Sequence, residues 1–292
     1  MSRGLALVTV TAWCGLLALE AGAAEPLPLP LTTDGRIKRD PVFIDGGRRI
    51  VYTVQSDAPR LVLMTLDRKT GRSQRWAPDA TLPELKAVFS ASGNAVAWLR
   101  ITGNDQVALL VRSGKKKIAR VVKTSKTVAW SPAITPKGGH VVFNQAGQLL
   151  IHDISTERNR PLAKSSGRND WPTVSGDGRR VAFGSSRDGD MEIYVVGWDD
   201  GVAQRLTNRE GLDIRPAWSP DGKRIAFTSV RAGNYEVAVI RADGTGMINV
   251  SRHSERDDYP IWHPDGQRLV WVAERGGRYD LVEQSLSSSR DR

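Results

Sequence analysis

The sequence predicts an all-β fold, a six-bladed β-propeller with four-stranded blades whose ring is closed by the N-terminal strand. Three observations carry this. Six turn glycines recur at a nearly constant interval. Three of the segments around them share one residue pattern. The last repeat stops one strand short, while a spare strand stands ahead of the first. The 292 residues are an ordinary length for one closed repeat fold, and 40% hydrophobic content is enough for a sizeable core. The 28 Gly, 15 Pro and 9 Trp fit many short strands joined by tight turns.

The chain opens with a secretory leader, predicted over 1–24. Arg3 supplies the positive start, Leu5 to Leu19 the apolar run, and Ala21, Gly22, Ala23 and Ala24 the small residues before cleavage. The apolar run is short for a membrane span. Cys14, the single cysteine, falls inside this leader behind bulky Trp13, a poor context for lipid attachment. The exported part is therefore expected to hold no disulfide, thiol nucleophile or cysteine-bound metal. Its charge stays at +10, because the leader carries one Arg and one Glu. A basic surface favours acidic partners. The Lys and Arg are spread along the chain, however, and no basic strip interleaved with aromatics points to nucleic acid. The densest cluster, Lys115-Lys116-Lys117, reads as a hairpin turn.

Leu27 to Thr33 is the spare strand. Leu31 stands ten residues before Pro41, as Leu162 stands before Pro172, Leu206 before Pro216 and Val250 before Pro260. It thus has the register of an outer strand with no blade before it. Pairing with the sixth blade would close the ring and remove two exposed edges. The propeller is expected over 25–286, and 287–292 reads as a frayed tail.

The repeats are clearest in WPTVSGDGRRVAFGSS, RPAWSPDGKRIAFTSV and YPIWHPDGQRLVWVAE. Each has Pro, a bulky residue two later, a turn glycine four after that, and a short apolar strand. With three looser copies upstream, the turn glycines are Gly47, Gly93, Gly138, Gly178, Gly222 and Gly266, at steps of 46, 45, 40, 44 and 44. In the fifth copy Pro216 to Trp218 reads as the inner strand. Ser219 to Gly222 is the turn, in which Pro presets φ and Gly accepts a positive one. Arg224 to Ser229 is the second strand, Tyr235 to Arg241 the third, and Met247 to Ser251 the outer one. Trp218, Phe227 and Tyr235 are expected to fill the space between blades.

The stretch LTNREGLDIRPAWSPDGKRIAFTSVRAGNYEVAVIRADGTGMINVSR resembles a repeat of the TolB-type propeller family, as do the copies around Gly178 and Gly266, including SSRDGDMEIYV. The resemblance implies a periplasmic protein that docks a peptidoglycan-associated lipoprotein at the mouth of its channel. Full-length members carry an α/β domain ahead of the propeller, and nothing in this sequence stands in that place. Related blades also occur in prolyl-oligopeptidase-like peptidases and in pectin-fragment lyases, so the motif speaks for fold more than for function.

Loops from each outer strand to the next inner strand gather around one end of a propeller channel. Here they are expected at about 33–40, 77–86, 123–131, 164–171, 208–215 and 252–259. Three residues before each Pro position come Lys38, Glu84, Ala129, Asn169, Asp213 and Asp257. One before it come Asp40, Lys86, Ser131, Trp171, Arg215 and Tyr259, with Asp170 and Asp258 beside two of them. Mixed charge with aromatics has the composition of a protein-binding surface; the plainer reading is solvated turn formers. No catalytic residue, metal or cofactor is expected. His253, Glu255, Asp257, Asp258 and His263 form the richest ionisable cluster, but Asp257 holds a repeat position and His263 stands where the fifth copy has Ser219. Asp188, Asp190 and Glu192 alternate as calcium ligands do, without the loop or the later Glu of an EF-hand. Ser251, His253 and Asp257 have only the residue types of a triad. There is no G-x-S-x-G, H-E-x-x-H or phosphate-binding loop. The expectation is a monomeric scaffold docking a protein, such as an outer-membrane lipoprotein, through the channel-mouth loops. The alternative is an enzyme or binder for an acidic glycan or small ligand in the channel.

Overall fold

A computed structural model describes residues 27–56, 60–103, 106–114, 118–124, 128–163, 166–199, 201–231 and 233–286. The leader, the turn at Lys115 to Lys117 and the tail lie outside the described residues. The described residues open with β1 (Leu29–Pro30), and six blades follow, each from inner to outer strand. Blade one is β2 (Lys38–Ile44), β3 (Arg49–Gln55), β4 (Leu61–Asp67) and β5 (Arg72–Arg75). Blade two is β6 (Glu84–Phe89), β7 (Ala95–Gly103), β8 (Gln106–Ser113) and β9 (Arg120–Val121). Blade three is β10 (Ala129–Ile134), β11 (His140–Gln145), β12 (Gln148–Asp153) and β13 (Arg158–Pro161). Blade four is β14 (Asn169–Val174), β15 (Arg180–Ser185), β16 (Glu192–Gly197) and β17 (Ala203–Arg205). Blade five is β18 (Leu212–Trp218), β19 (Arg224–Arg231), β20 (Asn234–Arg241) and β21 (Ile248–Asn249). Blade six has three strands of its own, β22 (Asp257–Trp262), β23 (Arg268–Arg275) and β24 (Arg278–Ser285).

The fourth strand of blade six is β1, so the sheet order is β1-β24-β23-β22. Leu29 faces Glu283 and Pro30 faces Val282, antiparallel. Asp280 on β24 fastens the closure, accepting from Thr32 Oγ1 at 2.8 Å and from Lys38 Nζ at 3.2 Å. Closure by the N-terminal strand follows the register read from Leu31 and Pro41.

The core divides into six apolar clusters, one at each junction between blades. Strand alternation produces this directly. Ile50, Tyr52 and Val54 face blade six, while Val51 between them faces blade two. Trp218 and Phe227 fill the junction with blade four, as expected. Tyr235 lies on the other side, half-buried at the start of β20 toward blade six, with the Arg256 guanidinium 3.9 Å from its ring centre.

The turns after the inner strands are held by local hydrogen bonds. In blade five the Ser219 carbonyl accepts from the Gly222 amide at 2.9 Å, Ser219 Oγ accepts from the Arg224 amide at 2.9 Å, and Asp221 accepts from Ser219 Oγ at 2.6 Å. Blade four repeats this with Ser175, Asp177, Gly178 and Arg180. Gly178 and Gly222 stand at φ 73° and 68°, a region that favours glycine.

Candidate functional site

Every inner strand breaks register once. The shifts fall between Arg39 and Val42, Leu85 and Val88, Trp130 and Ala133, Asp170 and Thr173, Ile214 and Ala217, and Asp258 and Ile261. Each is a β-bulge, which bends a strand and re-aims a side chain. The first bulged residues are Asp40, Lys86, Ser131, Trp171, Arg215 and Tyr259, at φ between 49° and 57°. Non-glycine residues seldom occupy that region, and when they do the surrounding structure holds them there. Here the ladder on both sides of the bulge does so.

Five of these side chains, Asp40, Lys86, Trp171, Arg215 and Tyr259, converge on a central cavity of about 290 Å³. Two residues beyond each of the six bulge positions, Val42, Val88, Ala133, Thr173, Ala217 and Ile261 line the same cavity with a mostly apolar tier. The rim has two different halves. In one, Lys86 Nζ lies 3.5 Å from Asp40 and donates to Ser131 Oγ at 3.1 Å. In the other, the Arg215 guanidinium stands between two rings, 4.3 Å from the centre of Tyr259 and 5.3 Å from that of Trp171. Its Nη1 reaches Asp258 at 3.2 Å. Burial raises the pKa of the Tyr259 hydroxyl; Asp40 adds to this and Arg215 opposes it.

All twelve candidate residues lie on strands, which corrects the loops drawn from the sequence. The inner strands begin earlier than the Pro position because the bulge lets the residues ahead of Pro keep pairing. Asp213 thus faces Ser229, and Asp257 faces Ala273. The residues three before Pro turn away from the channel and are buried. Glu84 accepts from Trp98 Nε1 at 2.8 Å and from Arg100. Asn169 accepts from Ser185 Oγ at 2.8 Å. Asp213 takes Ser229 Oγ at 2.8 Å and pairs with Arg231. Asp257 takes Trp271 Nε1 at 2.9 Å and pairs with Arg275; burial pushes its carboxyl above the usual range, against Arg275. Lys38 is the inverse case, a fully buried cation held by Asp34, Asp280 and the Tyr279 carbonyl.

Asp170 and Asp258 lie behind the rim and fix the bulge. Each accepts from the amide of the following residue at 2.8 Å, Trp171 in one case and Tyr259 in the other. Arg168 and Arg256 pair with them at 3.0 and 2.6 Å. These two arginines share the spacing R-x-D-aromatic-Pro, a repeat signal that could have found them.

The other clusters are taken apart. Glu255 accepts from the Gly276 amide, whereas His263 sits at the far end of β22 against Phe43, with ring centres 5.0 Å apart. Glu192 is buried and accepts from Thr207 Oγ1 and Arg205, while Asp188 accepts from the Tyr194 hydroxyl. Among the described residues, no group of three or more His, Cys, Asp or Glu is placed to hold a metal ion.

Residues 117–292, more than half of the chain, match the family model of the TolB beta propeller domain (PD40). The TolB homologue of Chlorobium chlorochromatii is 31% identical over 154 residues, 47% of this chain and 34% of that protein. The Tol-Pal system protein TolB of Anaeromyxobacter dehalogenans is 28% identical over 190 residues, 62% of this chain and 42% of that protein. The matched region thus spans less than half the length of either relative. The crystal structure of TolB from Acinetobacter baumannii superposes with a TM-score of 0.68 at 22% identity, over 83% of this chain and 65% of that one; this likeness is one of fold.

Proposed function

The chain belongs to the TolB β-propeller family, and on that premise we propose that it is a periplasmic interaction module whose channel mouth docks a protein of the cell envelope. One observation carries the reading. Side chains from all six blades converge on a single open cavity, with charge and aromatic rings at its rim and apolar groups within. Aromatic and arginine anchors around a desolvated pocket are what protein interfaces concentrate their binding energy in. Arg215 between Trp171 and Tyr259 is such an anchor, already ordered by stacking and by Asp258. The Tol-Pal name of one relative supports an envelope setting and a protein partner, an outer-membrane lipoprotein being the first to test. The ionisable rim residues are already engaged, Lys86 with Asp40 and Arg215 with Asp258 behind it, which suits recognition better than proton transfer.

The test is affinity capture from a cell-envelope extract by the tagged protein and by a Lys86→Ala, Trp171→Ala double variant. Both residues face the cavity, so the fold should survive their loss. The reading predicts a discrete protein held by the first and released by the second. Capture of the same proteins by both, or of nothing above a salt-sensitive background, refutes it.

A further inference from the structure

Blades six and one meet where the ring is closed, and a second cavity of about 230 Å³ opens there beside the channel. Tyr259 borders both cavities. Ile37 and Arg39 come from the start of blade one, Arg256 from the start of blade six, and Val272 and Tyr279 from the second and third strands of blade six. The groove is therefore mixed: apolar side chains, two tyrosine rings, and cations.

The cations are not balanced. Asp258 is the one carboxylate lining the groove, and it is already shared, by Arg256 at 2.6 Å and by Arg215 at 3.2 Å. Lys38 is buried and satisfied by Asp34 and Asp280. The Arg39 side chain makes no hydrogen bond or ion pair among the described residues, although its charge acts on the Tyr259 hydroxyl nearby. Two guanidiniums thus share the one carboxylate, and the third, Arg39, lines the groove with no carboxylate of its own. A second anion would complete the set, and a guanidinium prefers a planar carboxylate that it can hold with two hydrogen bonds.

We propose that this groove takes the carboxylate of an acidic peptide segment, held between Arg39 and Arg256, while a neighbouring apolar residue of the same segment passes Tyr259 into the channel. The apolar tier of the channel, with Val42, Val88, Ala217 and Ile261, favours a peptide over a polyanionic sugar, which has no apolar side chain to bury there. The volume exceeds what a lone carboxylate fills, the share of one water being about 30 Å³. The proposal rests on the docking reading above and specifies the chemistry of the partner. It has a mechanical consequence. Arg39 belongs to blade one and Arg256 to blade six, so an anion held by both spans the junction that β1 closes with only two paired residues.

The test uses the full chain and two labelled eight-residue peptides. One carries two adjacent glutamates flanked by leucines; the other has glutamines in their place. Fluorescence anisotropy should show the glutamate peptide binding about tenfold more tightly, the order of one charge-assisted hydrogen bond. Arg39→Gln should erase that preference and leave the weaker peptide unaffected. Amide exchange along β24 should slow with the glutamate peptide and not with the other. A preference that survives Arg39→Gln overturns the proposal. So does trigalacturonate binding more tightly than the peptide and losing affinity in Arg39→Gln, which would make the groove a saccharide subsite. Binding of neither peptide, with the envelope partner still released by the Lys86→Ala, Trp171→Ala variant, rejects the groove and leaves channel docking intact.

Discussion

The guanidinium of Arg224 in blade five stands 4.7 Å from the ring centre of Trp262 in blade six, and its Nη2 donates to the Gly266 carbonyl at 3.0 Å. Arg180 does the same one blade earlier, at 4.6 Å from Trp218 and 2.9 Å from the Gly222 carbonyl. The arginine of one blade thus clamps both the inner strand and the turn of the next. Each contact joins a cation–π interaction to a hydrogen bond, so Arg224→Ala should cost about 1–2 kcal/mol of stability. Arg224→Lys should recover less than half, because an ammonium lacks the planar face. Arg180→Ala should cost a similar amount. Urea unfolding of the single and double variants checks this, and near-additive losses are expected for separate junctions.

The repeat made this clamp legible in principle, since Arg180 and Arg224 both stand two residues after a turn glycine. At the junction of blades six and one the link is of another kind and lies outside that register. Arg68, at the turn between β4 and β5, donates to the Gly47 carbonyl at 2.8 Å and lies 5.5 Å from the Phe43 ring centre, both within blade one, and reaches blade six by pairing with Glu283. No repeat pattern marks it. The candidate site shows the same division. The position before Pro was visible as a ring of varied residues, and five of its six members line the channel. What the sequence could not display was the bulge, because an extra residue in one strand leaves no compositional trace. Hence the residues three before Pro looked equivalent to those one before it, although the bulge sends them to opposite sides of the strand.

That division sets a contrast between two kinds of variant. Asp257 is fully buried, and its carboxylate holds both Trp271 Nε1 and Arg275. Asp257→Ala leaves an indole N–H and a guanidinium without their acceptor, and should cost about 3 kcal/mol or more. Asp213→Lys should be worse, placing a second cation beside Arg231. Trp171→Ala, by contrast, should cost no more than about 1 kcal/mol of stability while weakening partner binding, since the residue lines the cavity. Thermal melts run beside capture assays separate the two outcomes.

Ring closure gives a third prediction. Asp280 accepts from Thr32 Oγ1, from the Gly35 amide and from Lys38 Nζ. Asp280→Ala should cost about 2–3 kcal/mol, below the full penalty for a broken buried pair because Lys38 keeps Asp34. Amides of β24 should then exchange faster than those of β15 or β19. Equal acceleration in all blades would mean that the ring does not open at this junction.

The last prediction concerns pH and the same junction. His263 lies where a Cβ on Gly47 would come within 2.6 Å of its Nε2, so Gly47, at φ 93°, is needed both for the turn and for the approach of the ring. Burial lowers the pKa of His263 below the ordinary value of 6.5. The neighbouring Arg268 lowers it further, as does Arg68, and Asp265 opposes them. A histidine with a depressed folded pKa contributes stability above its unfolded pKa, and that contribution is lost as pH falls from about 6.5 through the lower folded value. The protein should therefore weaken between pH 7 and pH 5. His263→Ser restores the residue found at the turn of blade five and removes the titrating group. It should lose some stability at every pH through the missing contact with Phe43, yet show a flatter profile across that window. The urea midpoints of both proteins, compared from pH 8 to pH 5, give the answer. Parallel profiles would show that His263 does not set the pH response, and a steeper fall for the parent would tie that response to the junction that closes the ring.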